Sequence, residues 1–428
     1  MTDERRLSLL LVAQLAPPST LVAARRVAGL TKYLARLGVD VTVLTSAISG
    51  RADLEGAHVV VRTRDLLATP LNWRRRHFDA LGGVVAASYS RPSRLERVVV
   101  PDLALVSWTP FALARALELA RSHSFSCVLT TSPPPSAHLV GLALHRRGTP
   151  WIAELRDGWT FEPPHPAWPL AFQRGVDRAL ERSVLRGADL VVGVTAPIVE
   201  DARRRLGVRA ELITNGFDPE EIPDAAASGL RDPARHSLVH TGRMAIARST
   251  PAPLLEAVRR LRASAPDLAA RLEVVFAGPL SSEEAALLAA PDLAGTVRVV
   301  GSLDRPRALA LQRDASSLLV VTEGSGRRSV ATGKLFEYLA AERPILVLGD
   351  DTEAARIVEE TRAGLATSAT DPDRIADALR RLVADEIPFA PDAAARDRYA
   401  YPAVAARVAA LVAEVASADS SVGARSTS

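Results

Sequence analysis

The sequence has 428 residues, of which 48% are hydrophobic and 24% are charged. This composition is typical of globular proteins and excludes a largely disordered chain. One core rarely fills so many residues, so we expect two domains of roughly 200 residues each. The single cysteine, Cys127, excludes an internal disulfide and favours the reducing cytoplasm. The apolar run at residues 7–12 is too short to span a bilayer, and we predict no membrane-spanning segment.

The positive charges are almost all arginines, since lysine occurs only at Lys32 and Lys334. The formal net charge is +4, and we attribute the arginine excess to genome composition, so no nucleic-acid partner is expected. Arginines are densest between Arg74 and Arg97, where aromatic residues are interleaved with them. This segment predicts either a solvated helix face or a surface for peripheral association with the inner face of a membrane.

In the first half of the chain, strand-like apolar runs alternate with helix-like stretches, which is typical of a parallel α/β sheet. Helices are predicted at residues 23–37 and 111–122. The predicted strands cover residues 7–12, 39–45, 59–62, 127–131, 151–155 and 190–194. Residues 1–215 therefore form one predicted Rossmann-like domain. The Asp-, Pro-, Ala- and Gly-rich residues 216–236 predict a linker.

The second half repeats this alternation and predicts a second doubly wound domain over residues 237–400. Its predicted strands cover residues 237–240, 273–277, 297–300, 317–321 and 344–348. A last helix at residues 401–416 could pack back on the first domain, and residues 417–428 are predicted to be a disordered tail.

Ligands of open parallel sheets bind beyond the carboxyl ends of the strands, so we expect a cleft lined by the loops that follow them. In the second half these loops carry Gly242, Gly278 and Gly301. Glycines are also the ordinary residues of turns.

Polar residues follow two strands of the first half. His138 begins a predicted helix, where it could bind a sugar hydroxyl. Arg156 and Asp157 follow the strand at 151–155, where they could contact either the donor or the acceptor of a transferred group. A structural histidine and an arginine–aspartate pair that braces a loop are the alternatives.

The segment at residues 329–344, SVATGKLFEYLAAERP, predicts a loop followed by a helix. The backbone N–H groups of Thr332, Gly333 and Lys334 would face an anion at the helix start, and the lysine adds a full charge, which suits a diphosphate. Glu337 lies about one turn further on and could accept hydrogen bonds from ribose or sugar hydroxyls. The alternative is a surface ion pair between Lys334 and Glu337.

A second basic site follows the strand at 237–240, where Arg243 and Arg248 share one loop. Guanidinium groups bind phosphate oxygens bidentately. Cations placed there would stabilise the negative charge that builds up on a departing nucleoside diphosphate. Surface arginines in an arginine-rich chain are the alternative.

Asp371 and Asp373, in the tripeptide Asp-Pro-Asp, have the spacing of an Asp-x-Asp metal-binding motif. Their position before an amphipathic stretch favours a helix cap with proline in the first turn, so we predict no metal site.

Several motifs together resemble the retaining glycosyltransferases of family 4, which have the GT-B fold, and in particular a branch that makes bacterial cell-surface polysaccharides. The resemblance extends from about residue 9 to residue 382. Its pieces are PPSTLVAARRVAGLTKYLARLGVDVTVLT, TSPPPSAHLVG, WIAELRDGW, NGFD at 215–218, TGR at 241–243 and GKLFEYLAAERPIL at 333–346.

The resemblance implies a nucleotide-sugar donor bound by the second domain and an unnamed acceptor, either a glycan, a lipid-linked sugar or a small molecule, bound by the first. Arg243 matches one residue of the family's phosphate-binding pair, whereas Arg248 stands where lysine is usual. Glu337 matches the glutamate that binds the ribose, and Ser329 stands in the place of the family's other glutamate. In the first loop, Thr20 and its neighbours replace a glycine pair.

In the family's mechanism the departing diphosphate assists the acceptor hydroxyl on the same face of the sugar, and the anomeric configuration is retained. No cofactor is expected besides the nucleotide-sugar co-substrate. Products in polysaccharide, glycolipid or natural-product glycoside biosynthesis fit this chemistry. Two alternatives are another GT-B enzyme, either an epimerase or a phosphorylase with Lys334 holding a pyridoxal cofactor, and a non-catalytic subunit that binds nucleotide sugars.

Overall fold

The computed structural model describes residues 6–66, 97–163, 167–224, 227–244, 250–322, 327–387 and 389–425. These residues form two compact units. The first unit contains the described residues up to Gly216 and those from Tyr401 onwards, and the second extends from Phe217 to Ala400.

The first unit is built on a seven-stranded parallel sheet with the order β3-β2-β1-β4-β5-β6-β7. Its strands are β1 (Ser8–Ala13), β2 (Asp40–Ser46), β3 (Ala57–Thr63), β4 (Cys127–Ser132), β5 (Trp151–Leu155), β6 (Leu190–Gly193) and β7 (Ala210–Leu212). Its first six α-helices are α1 (Val22–Arg36), α2 (Ala104–Ser107), α3 (Thr109–Ser122), α4 (His138–His145), α5 (Ala171–Leu185) and α6 (Ala196–Asp201).

Both faces of this sheet are buried, as expected for parallel strands covered by helices. Leu9 and Leu11 of β1 pack in one core cluster, and Leu10 and Val12 pack in another on the opposite face. The strand order reverses between β1 and β4, so the loops that follow these strands border the crevice where ligands of such sheets bind.

The second unit has a six-stranded parallel sheet with the order β10-β9-β8-β11-β12-β13. Its strands are β8 (His236–Thr241), β9 (Leu272–Ala277), β10 (Val297–Val299), β11 (Ser317–Val321), β12 (Ile345–Leu348) and β13 (Gly364–Thr367). Its helices are α7 (Ala252–Ser264), α8 (Pro266–Ala270), α9 (Ser282–Leu288), α10 (Arg305–Asp314), α11 (Gly333–Ala341), α12 (Glu353–Glu360), α13 (Pro372–Val383) and α14 (Ala393–Asp397). Here the strand order reverses between β8 and β11.

Asp371 caps α13, as the sequence predicts. Its carboxylate accepts hydrogen bonds from the amides of Asp373 and Arg374, and Pro372 occupies the first turn. Among the described residues, no group of three or more His, Cys, Asp or Glu side chains could hold a metal ion. Metal independence stays a prediction.

The last helix, α15 (Tyr401–Arg425), belongs to the first unit, where Val404, Ala405 and Val408 pack in the same core cluster as α1. A Cβ atom on Gly29 of α1 would lie 2.5 Å from the ring of Tyr401, so this crossing requires glycine. The window Tyr401–Ala418 is long and apolar enough to span a membrane, and 33% of it is buried. The buried side chains of this window pack in the core cluster that contains α1.

Two predicted boundaries differ from the structure. The helix continues to Arg425, so residues 417–425 are helical and not a disordered tail. Most of the predicted linker at 216–236 belongs to the second unit, which begins at Phe217 and forms a short 3-10 helix at Pro219–Glu221.

Candidate functional site

Two glycines bring the ends of β8 and β9 close together in the second unit. Gly242 follows β8 with φ of 78°, a left-handed conformation that favours glycine. Its amide donates to the carbonyl of Ala277 over 2.6 Å. A Cβ atom on Gly278 would lie 2.2 Å from the carbonyl oxygen of Gly242, so only glycine fits there. This edge therefore presents bare backbone, which a large ligand can approach closely.

Helix α11 begins near this edge with Thr332 as its N-cap residue. The side chain of Thr332 makes no capping hydrogen bond, and its buried Oγ1 has no partner among the described residues. Amides in the first turn of an α-helix have no intrahelical acceptor. The amide at Gly333 can therefore serve an anion, helped by the helix dipole.

The ammonium group of Lys334 lies at the end of β8. Its Nζ is 3.0 Å from Nε2 of His240 and donates a hydrogen bond to the carbonyl of Arg243. Nδ1 of His240 is 2.9 Å from the carbonyl of Leu319, and Nε2 is 3.2 Å from the carbonyl of Arg243. Because the ammonium of Lys334 can only donate, Nε2 accepts from it and Nδ1 carries the proton. Burial, with the charge of Lys334, lowers the pKa of His240 to about 3, which keeps this acceptor neutral. The structure thus brings Lys334 and the backbone of Arg243 together.

Two side chains that the sequence analysis did not single out fix α10 and α11 against β8. The hydroxyl of Tyr338, which is fully buried, accepts from the amide of Thr241 over 2.9 Å. Gln312 donates through Nε2 to Oγ1 of Thr241 over 2.8 Å. Tyr338 follows Lys334 by one helical turn, so its anchor also holds the lysine in place.

Glu337 points to the side of α11 that faces α10. Its Oε1 accepts from Arg305 over 2.8 Å and its Oε2 from Gln312 over 3.3 Å. Arg305 also bonds the carboxylate of Glu221. These residues line a recess together with Phe217 and other residues of the second unit.

At the corresponding edge of the first unit, His138 is buried between aromatic rings. Its Nδ1 is 2.8 Å from Oγ1 of Thr130, which also accepts from Trp151. The ring of Trp159 stacks on the imidazole at 6.1 Å. Nε2 of His138 is buried and has no partner among the described residues, so it can serve a water or a ligand hydroxyl.

Arg156 braces the loop that follows β4. Its guanidinium donates to the carbonyls of Ser132 and Pro133, each over 3.0 Å. This is the bracing role that the sequence left as an alternative. The expected brace was an arginine–aspartate pair, whereas these hydrogen bonds join Arg156 to backbone carbonyls. Asp157 lies close enough to Arg156 for their charges to interact.

A buried ion pair that the sequence analysis missed lies under this edge. Nη2 of Arg26 in α1 is 2.6 Å from Oε1 of Glu154 in β5, and each side chain is only 1% exposed. Arg26 also donates to the carbonyls of Ile213 and Thr214, and Oε2 of Glu154 accepts from Thr131. The pair joins α1, the sheet and the segment that follows β7.

Two family matches cover most of the chain. Residues 23–216 match the family described as "Glycosyl transferase 4-like domain", and residues 235–385 match "Glycosyl transferases group 1". The chain is a glycosyltransferase. It matches no curated protein sequence.

Solved structures show that this glycosyltransferase has the GT-B fold. Sucrose-phosphate synthase from Thermosynechococcus elongatus is 18% identical with a TM-score of 0.66, covering 96% of this chain and all 100% of that one. A trehalose-phosphate synthase from Burkholderia xenovorans, in complex with glucose-6-phosphate, is 14% identical with a TM-score of 0.61, covering 95% and 100%. HepE from Anabaena, in complex with UDP, is 14% identical with a TM-score of 0.56, covering 98% and 100%.

Some predicted site residues of the glycosyltransferase lie apart from this constellation or cannot be placed. Gly301 follows β10, an edge strand that is separated from β8 by β9. Arg248 lies outside the described residues, and so does the basic segment from Arg74 onwards except for Arg97. Their roles stay predictions.

Two of the described histidines, His138 and His240, are buried, and we expect them to make the glycosyltransferase sensitive to acid. Burial lowers the pKa of His138 to about 3, as it does for His240, from an ordinary value of 6.5. Between these values the unfolded chain binds more protons, so the folded state loses stability as the pH falls from 6.5 towards 3. At pH 5 each histidine is expected to cost about 2 kcal/mol of unfolding free energy.

Urea unfolding of the wild type and of His138→Gln at pH 7 and pH 5 measures this effect. The variant should lose less stability on acidification. His123→Gln, which replaces an exposed histidine, is the matched control. Equal pH dependence in the wild type and in His138→Gln would contradict a neutral, buried His138.

Proposed function

We propose that this glycosyltransferase moves a sugar from a nucleoside diphosphate to an acceptor hydroxyl with retention, as a family 4 enzyme of the bacterial cell-surface polysaccharide branch. The second unit binds the donor and the first binds the acceptor. We place the reaction in the cytoplasm, at the inner face of the membrane, and propose that it needs neither metal nor organic cofactor.

One observation carries the proposal: the ammonium of Lys334 is held at the end of β8 by His240 and the carbonyl of Arg243, beside Gly242 and the start of α11. Departure of a nucleoside diphosphate leaves negative charge on the oxygen that bridged it to the sugar. A preorganised cation and helix amides stabilise that charge without reorganising. The UDP bound by HepE supports a donor of this class.

The chemistry needs few groups from the protein beyond charge stabilisation. The bond between the anomeric carbon and the bridging oxygen breaks, and the acceptor oxygen forms a new bond on the same face. The acceptor's proton passes to the departing diphosphate, so no enzyme nucleophile is required. Each carboxylate oxygen of Glu337 accepts one hydrogen bond, from Arg305 or from Gln312, and its remaining lone pair can accept from a ribose hydroxyl.

The test is release of nucleoside diphosphate from a panel of nucleotide sugars, with binding measured in parallel by calorimetry. We expect one donor to bind and to be hydrolysed slowly without acceptor. A donor that binds but is never turned over would favour the non-catalytic subunit. A pyridoxal absorbance band would favour the phosphorylase.

Glu337→Gln should weaken nucleoside diphosphate affinity by about 1.5 to 3 kcal/mol, the scale of a hydrogen bond to a charged group. Glu386→Gln is the matched control, because Glu386 is also an ion-paired glutamate of the second unit but bonds Arg380 and does not line this recess. Equal affinities in the two variants would remove Glu337 from the donor site.

A further inference from the structure

The outer face of α5 is apolar where a surface helix is normally polar. Phe172 is 66% exposed and Val176 is 51% exposed, and their spacing of four residues places them on one face. Leu170, just before the helix, is 52% exposed. Gly175 and Ala179, both exposed, complete the stripe.

The inner face of α5 is polar in its first three turns, which reverses the usual arrangement, and becomes apolar only at its end, where Val184 and Leu185 are buried. Gln173, Asp177 and Glu181 are buried. Asp177 accepts from the indole N–H groups of Trp159 and Trp168, each over 2.8 Å. Glu181 accepts from Thr160 and Arg205, and Gln173 donates to the carbonyl of Arg97. Rotating the helix to bury Phe172 would break all of these bonds, so the apolar stripe is fixed outward.

The charges on this face have one sign. Both acidic residues of α5 are on its inner face, whereas Arg178 and Arg182 are exposed, as is Arg186 just beyond the helix. Val98 is 66% exposed and adjoins the start of α5 through the bond from Gln173 to Arg97. The outer face is therefore both apolar and cationic.

We propose that this face binds an anionic lipid bilayer, with α5 lying in the plane of the headgroups. Phe172 and Val176 would enter the boundary between headgroups and acyl chains, and the arginines would pair with anionic lipids. Among the described residues no carboxylate pairs with Arg178, Arg182 or Arg186, so a dense layer of anionic headgroups complements the charge of this face as well as its apolar stripe. This surface is distinct from the predicted basic segment from Arg74, most of which lies outside the described residues.

The position of α5 indicates what membrane binding would do for the reaction, an inference that rests on the proposed function. The helix follows the loop that leaves the carboxyl end of β5, the same edge that carries Arg156 and the buried His138. A membrane seated on α5 would therefore deliver a lipid-linked acceptor to that edge.

Co-sedimentation of the full chain with phosphatidylcholine vesicles, with and without 30% phosphatidylglycerol, tests the surface without any activity measurement. We expect binding to rise with the anionic lipid and to fall with salt. The double variant Phe172→Glu/Val176→Glu should reduce the partition coefficient at least about tenfold, since it puts charge into the apolar boundary. Leu37→Glu, which replaces a residue 50% exposed at the end of α1, is the control and should bind as the wild type does.

Thermal unfolding of each variant shows whether the fold is retained, and donor hydrolysis in solution reports on the proposed function separately. Absence of binding to anionic vesicles would overturn the proposal. So would wild-type binding by the double variant. Self-association of the wild type that the double variant abolishes, with no vesicle binding, would assign the face to a second copy of the chain instead.

Discussion

Lys334→Ala is expected to lower kcat/KM for the donor, with a loss of about 2 to 4 kcal/mol of transition-state stabilisation. This is the scale of removing one preorganised charge from a developing anion. The variant leaves the Arg243 carbonyl and the β8 edge without the ammonium that bridges them. Arg243→Ala should cost a similar amount if its guanidinium binds the same diphosphate. Steady-state kinetics with the donor found in the panel measures both.

The chain provides its own control, because its other lysine, Lys32, lies on α1 in the first unit with its Nζ 3.8 Å from Glu55. Lys32→Ala should leave donor kinetics unchanged. Lys334→Arg keeps the charge but not the compact ammonium, so a partial loss is expected there. Unchanged kinetics in both Lys334→Ala and Arg243→Ala would remove this edge from the donor site.

Removing one partner of the Arg26–Glu154 pair is expected to destabilise the folded chain by about 3 to 5 kcal/mol, because it leaves an uncompensated buried charge. Each side chain is only 1% exposed. Arg26→Met and Glu154→Leu should each show this loss in urea unfolding. The double variant should lose less than either single variant, since it leaves no unpaired charge.

Acid should act on the same pair. Burial by itself would raise the pKa of Glu154, but the charge and hydrogen bond of Arg26 and the hydrogen bond from Thr131 lower it overall. A carboxyl group with a lowered folded pKa contributes stability above its ordinary pKa and loses it as the pH falls through the lowered value.

Additive losses in the double variant of Arg26 and Glu154 would show that the two side chains do not interact.

Much of the fold follows from the sequence because apolar runs in parallel sheets are continuous. The strand at residues 151–155 coincides with β5, and the other predicted strands match within one or two residues. β7 and β13 were missed because they are short edge strands: Ala210–Leu212 has three residues, and Gly364–Thr367 begins with glycine. Each segment is too short to be recognised in the sequence as a separate apolar run.

The candidate site was predictable only in part. The carboxyl ends of neighbouring parallel strands lie at one edge, so the approach of Lys334 to the loop of Arg243 follows from the strand order. The partners of these groups do not follow. Spacing placed Glu337 one turn beyond Lys334, as a residue for ribose or sugar hydroxyls or as a partner of the lysine, but it did not predict that the carboxylate accepts from Arg305 and Gln312. Such contacts depend on the direction of side chains in the folded sheet, which a linear pattern does not contain.

The return of α15 to the first unit has a consequence for biosynthesis. Val404, Ala405 and Val408 fill the same core as Leu30 and Leu34 of α1, although almost the whole chain separates them in sequence. On the ribosome this apolar surface of the first unit therefore stays uncovered until α15 has emerged. A premature stop near residue 400 would damage the half of the protein that was made first.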